Sequence, residues 1–527
     1  MRKYFLLLKM LFYGLFGINK AIHSKDPKQR QQIITFGSAY AVLIIFAASF
    51  SWTTAIGLAQ TGLTDSIPAI MLLYCAVITL VLTFFESNGV IFGLKDYDQI
   101  MSLPIKSSQM ILSRVSFVYL INFGLSLIIM LPAAIVYGLT VGAPVSVYLM
   151  LLSAPVFIPL VPMAAALAVG AMITAIAVRF KYKNVVTIIL SFAVTLGILA
   201  WSFSFRGTQE DLAALENIAM TVGDAVNDLY FLAALLSKSV ADNDALSFLS
   251  FAAISAAAMI IFTVVLNVFY TKINTAIFSI YRKNDYRVSE LKTASPFMAL
   301  YKKELRRFFT CTIYILNQGF GSALFVMAGV GLLIAGPAAM LESMELGGAL
   351  DGFMHSIPFV MALIVAMTST TCVALSLEGK YRWIMCSVPV GAKTVFDSKI
   401  LVHLTFFLPA SVIGGVLWVI AFMPSPAIAA LMLITPVVYT FFIAVAGMYF
   451  NMRFPKYDWA SEYYCVKGGS ASLFITLAAG FGTTLVPMII SFVIPAYGTA
   501  FLILILIAIS SATLALYNKL SDVRLYA

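Results

Sequence analysis

The chain has 527 residues, a formal net charge of +10 and a mean hydropathy of +0.98; 61% of its residues are hydrophobic and only 11% charged. That balance excludes an ordinary soluble domain. Apolar runs of about 20 residues recur without the alternating polarity of a membrane barrel, so they fit α-helices crossing a ~30 Å hydrocarbon layer.

The first 31 residues open with an apolar stretch over 4–16, broken by Lys9 and Gly14. They then turn basic through Lys20, Lys25, Lys28 and Arg30. This segment is too short and too charged to span. It reads as an amphipathic helix lying in the interface, retained because no small-residue cleavage site follows. Twelve spans are then expected, at 32–56, 66–92, 112–138, 146–177, 184–205, 247–271, 319–338, 355–377, 399–422, 426–450, 471–493 and 498–517.

Span two ends near Glu86, where an unpaired carboxylate in hydrocarbon is costly. It is either a proton or substrate site, or a helix-end carboxylate neutralised or wetted by its surroundings. The second reading is preferred. The connector after it, residues 93–114, carries Asp96, Tyr97, Asp98, Met101, Ser102, Pro104, Lys106 and Arg114, too polar for the membrane. It recurs in 378–399. At a shift of 285, Ser102-Leu103-Pro104-Ile105 falls on Ser387-Val388-Pro389-Val390, and Ser113-Arg114 falls on Ser398-Lys399. The second copy adds Glu378, Tyr381, Arg382 and Trp383. The same shift places Thr371 opposite Glu86, so that acid is not shared by both copies.

Residues 206–246 form the largest outer segment, with Arg206 and Lys238 against seven acids. Leu212, Leu215, Ile218, Val222, Leu229 and Leu232 recur at helical spacing. An amphipathic outer helix is expected, as a solvated acidic face, a cap on an exit path or a seat for a cationic substrate. Residues 272–296 read as a cytosolic linker. Residues 297–309 then place Lys302, Lys303, Arg306 and Arg307 on one helical face and Phe297, Tyr301, Leu305 and Phe308 on another. This second interfacial helix stands before span seven as the first stands before span one. The fold expected is therefore an all-α polytopic membrane protein of about 12 transmembrane helices in two six-helix repeats, each preceded by an interfacial amphipathic helix. Its parts are 1–271, the 272–296 linker and 297–527.

With both termini on one side, only Arg206 and Lys238 of the 33 Lys and Arg fall opposite. The positive-inside rule places that basic side, and both termini, in the cytosol. The charge is thus explained without a nucleic-acid partner, and a multi-pass protein of the cell membrane is expected, in contact with its lipids. The five cysteines lie in spans or inner loops, so no outer disulfide is expected. No G-x-x-x-x-G-K-[ST] phosphate loop, paired-carboxylate, Ser-His-Asp or metal pattern is present, and His23, His355 and His403 are isolated. The residues favour transport with energy supplied from outside the chain; a scaffold or an enzyme has no positive feature.

The order of interfacial helix, span, short outer turn, span and cytosolic connector resembles the permease fold of type-2 ATP-binding-cassette exporters. Met101-Ser102-Leu103-Pro104-Ile105 and Cys386-Ser387-Val388-Pro389-Val390 resemble that family's connector pattern. Tyr301-Lys302-Lys303-Glu304-Leu305, followed by Ile315-Leu316-Asn317-Gln318-Gly319-Phe320-Gly321, resembles a bacterial subset with both halves in one chain. The resemblance implies a permease without catalytic residues or metal. It implies a separate ATPase subunit, in two copies, that carries ATP and magnesium and grips the two connectors. The coupling residues it implies are Asp96, Tyr97, Asp98, Met101, Ser102, Pro104, Glu378, Tyr381, Arg382, Trp383 and Pro389. The large 206–246 segment departs from the pattern. The competing class is a twelve-span secondary transporter driven by protons or ions, for which Glu86 is almost the only buried ionisable candidate.

Overall fold

The computed structural model describes residues 2–16, 27–60, 64–91, 100–177, 179–180, 183–204, 230–279, 294–335, 350–459, 462–466, 470–493 and 498–521; most of these are helical, with no strand among them. Among the described residues ten helices are long and apolar enough to cross a membrane: Thr64–Phe84, Ser107–Val141, Val145–Ala177, Ala245–Ile273, Thr312–Ile334, Met354–Ser387, Ala392–Phe422, Pro426–Arg453, Glu462–Met488 and Gly498–Ser521. The two remaining expected spans, one and five, are helical over Pro27–Gln60 and Lys183–Ser204. All twelve apolar runs are thus helices, and the interfacial segments are helices over Arg2–Phe16 and Pro296–Thr310.

Contacts divide the chain into two compact units. One holds residues 1–14, 40–183 and 206–281; the other holds 15–39, 184–205 and 282–527. Span five therefore clusters with the second unit, a regrouping that linear order does not display.

In the first unit Met71 and Cys75 of span two, Met130 and Tyr137 of span three, and Ala154 of span four pack together as a buried core. Short helix Phe231–Ala241 joins that core through Leu232, Ala233 and Leu236, all at 0–1% exposure. Of the apolar positions expected to line an outer helix, Leu232 lies among the described residues, and it faces protein. Residues 206–229 lie outside the described residues. Span six runs over Ala245–Ser279, so the first residues of the expected 272–296 linker continue its helix. Its Ile260, Ile261, Val264 and Phe269 are exposed, as a lipid-facing surface requires.

In the second unit Phe325, Phe359, Trp418, Met432, Tyr439 and Ile443 form the core of spans seven to ten. Span eight departs from the expected continuous helix over 355–377. Leu350–Ala366 ends, residues 367–370 are unwound, and a short helix Thr371–Ala374 leads into a 3-10 turn over Ser376–Tyr381. No glycine or proline causes the break. Thr368, Ser369, Thr370 and Thr371 are all buried, and hydroxyl side chains offer the backbone alternative partners. Unwound backbone at membrane depth must be satisfied within the protein. Here Tyr314 Oη donates to Thr370 O at 2.8 Å, Ser472 Oγ to Cys372 O at 2.6 Å, and the Thr370 amide reaches His403 Nδ1 at 3.4 Å. Gly447 lets span ten press against the break; a Cβ there would meet Ser369 Oγ at 2.5 Å and Thr371 Oγ1 at 2.6 Å. The matching place in the first unit is also irregular: span two, Ile67–Glu86, passes into a π turn over Ser87–Ile91.

Candidate functional site

Both connectors are built on one local device. Pro fixes φ near −65°, the value an inverse γ-turn needs at its centre. Around Pro104 the Ile105 amide donates to Leu103 O at 2.7 Å; around Pro389 the Val390 amide donates to Val388 O at 2.8 Å. Three residues later each chain enters a long helix, at Ser107 for span three and Ala392 for span nine. The shift of 285 seen in the sequence is thus kept in backbone geometry.

The second connector is held from beneath by charge. Lys399 of span nine, 1% exposed at its side chain, lies 2.7 Å from Glu304 and 3.0 Å from Glu378. Lys303 and Arg307 of helix Pro296–Thr310 close on Glu378 at 2.8 Å and 3.0 Å. Three cations thus enclose two carboxylates that are 3–6% exposed. Buried charge of this kind is tolerable only when paired on all sides. Burial alone would favour loss of the Arg307 proton, but Glu378 and Glu304 hold its pKa above the ordinary arginine value.

Lys399 Nζ also donates to Ala374 O at 3.1 Å, and Asn451 Oδ1 accepts the Leu375 and Ser376 amides at 2.7 Å and 3.2 Å. Trp459 Nε1 donates to Ser376 O at 2.8 Å. Gly379 then turns the chain outward at φ 54, where a Cβ would strike the Trp459 ring at 2.9 Å. Beyond it, Tyr381, Trp383, Ile384 and Val388 stand 44–63% exposed, while Met385 turns inward. Arg382 lies 4.5 Å from the centroid of the Tyr457 ring. Burial raises the Tyr457 pKa against the opposing pull of Arg382, so its hydroxyl stays neutral. The result is an aromatic and basic platform on a rigid base.

A family model of membrane proteins of 12 TMs matches residues 29–514. The chain belongs to that family. No curated protein matches it.

Within this 12-TM chain the expected site residues divide by position. Tyr381, Arg382, Trp383 and Pro389 are exposed together on the second connector. Ser102 and Pro104 are exposed and Met101 half-buried on the first, whereas Asp96, Tyr97 and Asp98 lie outside the described residues. Glu378 is not a surface residue. Its carboxylate is enclosed by Lys303, Arg307 and Lys399 beneath the connector. Glu86 is 3% exposed, three residues beyond Thr83, which accepts from Asn122 Nδ2 at 3.0 Å.

Sequence reading missed the partners under the platform: Glu304, Lys399, Asn451, Tyr457 and Trp459. The run Arg453-Phe454-Pro455-Lys456-Tyr457-Asp458-Trp459 was visible as an inner turn, and an Asn two residues before its Arg was a signal for a capping partner. Nothing in linear spacing links either to Ser376.

Proposed function

We propose that the chain is the permease subunit of an ATP-binding-cassette transporter, most simply an exporter of the cell membrane with both termini in the cytosol. The observation that carries this reading is the second connector, an exposed aromatic and basic platform on an ion-paired base. Aromatic and arginine side chains of this kind anchor protein interfaces. A rigid base lets force applied at the platform reach spans eight and nine without being lost in side-chain motion. The repeated γ-turn supplies a second contact of the same backbone shape, as two copies of one ATPase would require. ATP and magnesium belong to that subunit, and the chain itself hydrolyses no nucleotide. The test is co-purification of an ATPase with the tagged native chain from its own membrane. Recovery of the permease alone under conditions that preserve membrane complexes, with ATP-independent transport, would defeat the proposal.

A secondary transporter has one observation in its favour. Unwound membrane helices with buried hydroxyls form ion and substrate sites in that class, and residues 367–370 are such a segment. Transport into proteoliposomes that follows an imposed proton or sodium gradient, and that Glu86→Gln or Thr370→Val abolishes while the protein stays folded, would support that class. Dependence on ATP with indifference to the gradient supports the permease. Labelling of Asp242→Cys from outside intact cells checks the orientation; Asp242 is exposed beside Asn243 in the turn between the short helix and span six.

A further inference from the structure

Helix Pro296–Thr310 has two cationic faces with different occupations. Ser295 caps it by accepting the Met298 amide, and Pro296 fills its first turn, where no amide is needed. At i, i+4 spacing, Lys303 and Arg307 point inward to Glu378. Lys302 and Arg306, at the same spacing one position earlier, are exposed and form no ion pair among the described residues. Along that outer stripe Met298 lies one turn before Lys302 and Phe309 one turn after Arg306, each 39% exposed. The one carboxylate on the helix, Glu304, is buried on the opposite side beside Lys399.

An apolar, basic, basic, apolar stripe matches neither bulk water nor the interior of a bilayer. It matches the boundary, where apolar side chains enter the acyl region and cations meet phosphates. We propose that this outer stripe is a binding site for anionic phospholipid headgroups of the inner leaflet, with Lys302 and Arg306 as the phosphate ligands. The side of the membrane rests on the orientation proposed above; the site itself does not require an ATPase partner. Charge complementarity selects the occupant. The carboxylates of the ionic base are already satisfied by Lys303, Arg307 and Lys399, and among the described residues no other acid pairs with Lys302 or Arg306. The first amphipathic helix differs: its exposed Phe5, Leu6 and Met10, at 49–60%, suit acyl chains more than headgroups.

The test uses the full chain purified in mixed micelles of equal phosphatidylglycerol and phosphatidylcholine, with retained lipids counted by native mass spectrometry. The wild type is expected to keep phosphatidylglycerol preferentially. Lys302→Gln with Arg306→Gln should reduce that preference roughly tenfold or more, the scale for two basic residues at an anionic surface. Its melting temperature in phosphatidylcholine alone should be unchanged, because neither side chain has an ion-pair partner to lose among the described residues. Lys106→Gln with Lys519→Gln removes equal charge elsewhere and should keep the preference. No preference in the wild type, or equal loss in both double variants, would overturn the site. So would a Lys302/Arg306 variant that retains phosphatidylglycerol but loses a co-purifying ATPase, since the stripe would then face protein.

Discussion

The two connectors share a backbone and differ in how they are fastened. On the first, Lys3 of helix Arg2–Phe16 donates to Pro104 O at an exposed site, and Phe12 meets Phe117 of span three edge to face at 5.1 Å. On the second, helix Pro296–Thr310 is tied by five charged groups, of which Glu304, Glu378 and Lys399 are buried, and Phe308 stacks on Phe406 of span nine at 4.9 Å. The matching cations show the same divergence. Arg114 reaches Ile91 O at 3.3 Å and the Tyr270 hydroxyl at 2.7 Å, whereas Lys399 reaches Ala374 O together with two carboxylates. A cation pulling the end of the preceding span toward the next helix is common to both. Among the described residues the second connector rests on five charged groups, and we expect it to be the stiffer joint.

The largest blow to that contrast comes from the base itself. Glu378→Gln leaves three cations against one carboxylate, and uncompensated buried charge costs about 3–5 kcal/mol. A sharp fall in melting temperature is expected, followed by detergent scanning fluorimetry. A loss no greater than that of Lys3→Gln would erase the proposed difference in stiffness.

Next in size is the platform. Arg382→Ala with Trp383→Ala should weaken ATPase retention by roughly 2–4 kcal/mol, the range for interface anchors. Tyr97→Ala with Asp98→Ala should cost clearly less, since carboxylates at a rim mainly tune electrostatics. Pull-down at matched membrane expression gives the ratio. Equal retention would mean that both connectors are gripped alike.

Glycine substitutions sharpen the comparison further. Gly142 and Gly379 both have positive φ, at 66 and 54, but a Cβ on Gly142 meets nothing within 4 Å whereas on Gly379 it meets Trp459. Gly142→Ala should therefore show only the backbone penalty of about 1–2 kcal/mol. Gly379→Ala should exceed it because the Trp459 ring must also move. Thermal unfolding of the two variants side by side decides the order.

The smallest effect is expected from Lys3→Gln, below about 1 kcal/mol for an exposed contact. A larger loss would reveal that the first connector depends on its amphipathic helix as strongly as the second does.

Much of the fold was legible because a bilayer imposes few choices. A run of apolar residues without charge has to become a helix. The connector repeat was legible for a local reason as well, since Pro104 and Pro389 fix their own turns. Trp383 and Arg382 could be picked out as exposed because they stand in a polar loop between apolar runs. The same reasoning failed for Glu378, which shares that loop. Exposure there depends on Lys303 and Arg307, some 75 residues away in sequence, and on Lys399 from the next span. Nor did the sequence show that the short helix Phe231–Ala241 packs Leu232, Ala233 and Leu236 into the core of the first unit.

The sequence by itself determined the helices, their number and the two proline turns, because hydrophobic length and proline geometry act within a few residues. Only the tertiary structure decided where the backbone of span eight could break and which charges went inside. An unwound residue such as Thr370 is tolerable only once Tyr314 and His403 stand beside it, and a carboxylate such as Glu378 only once three cations surround it. Desolvation is a property of the assembled surroundings, and no residue carries those surroundings in its neighbours along the chain.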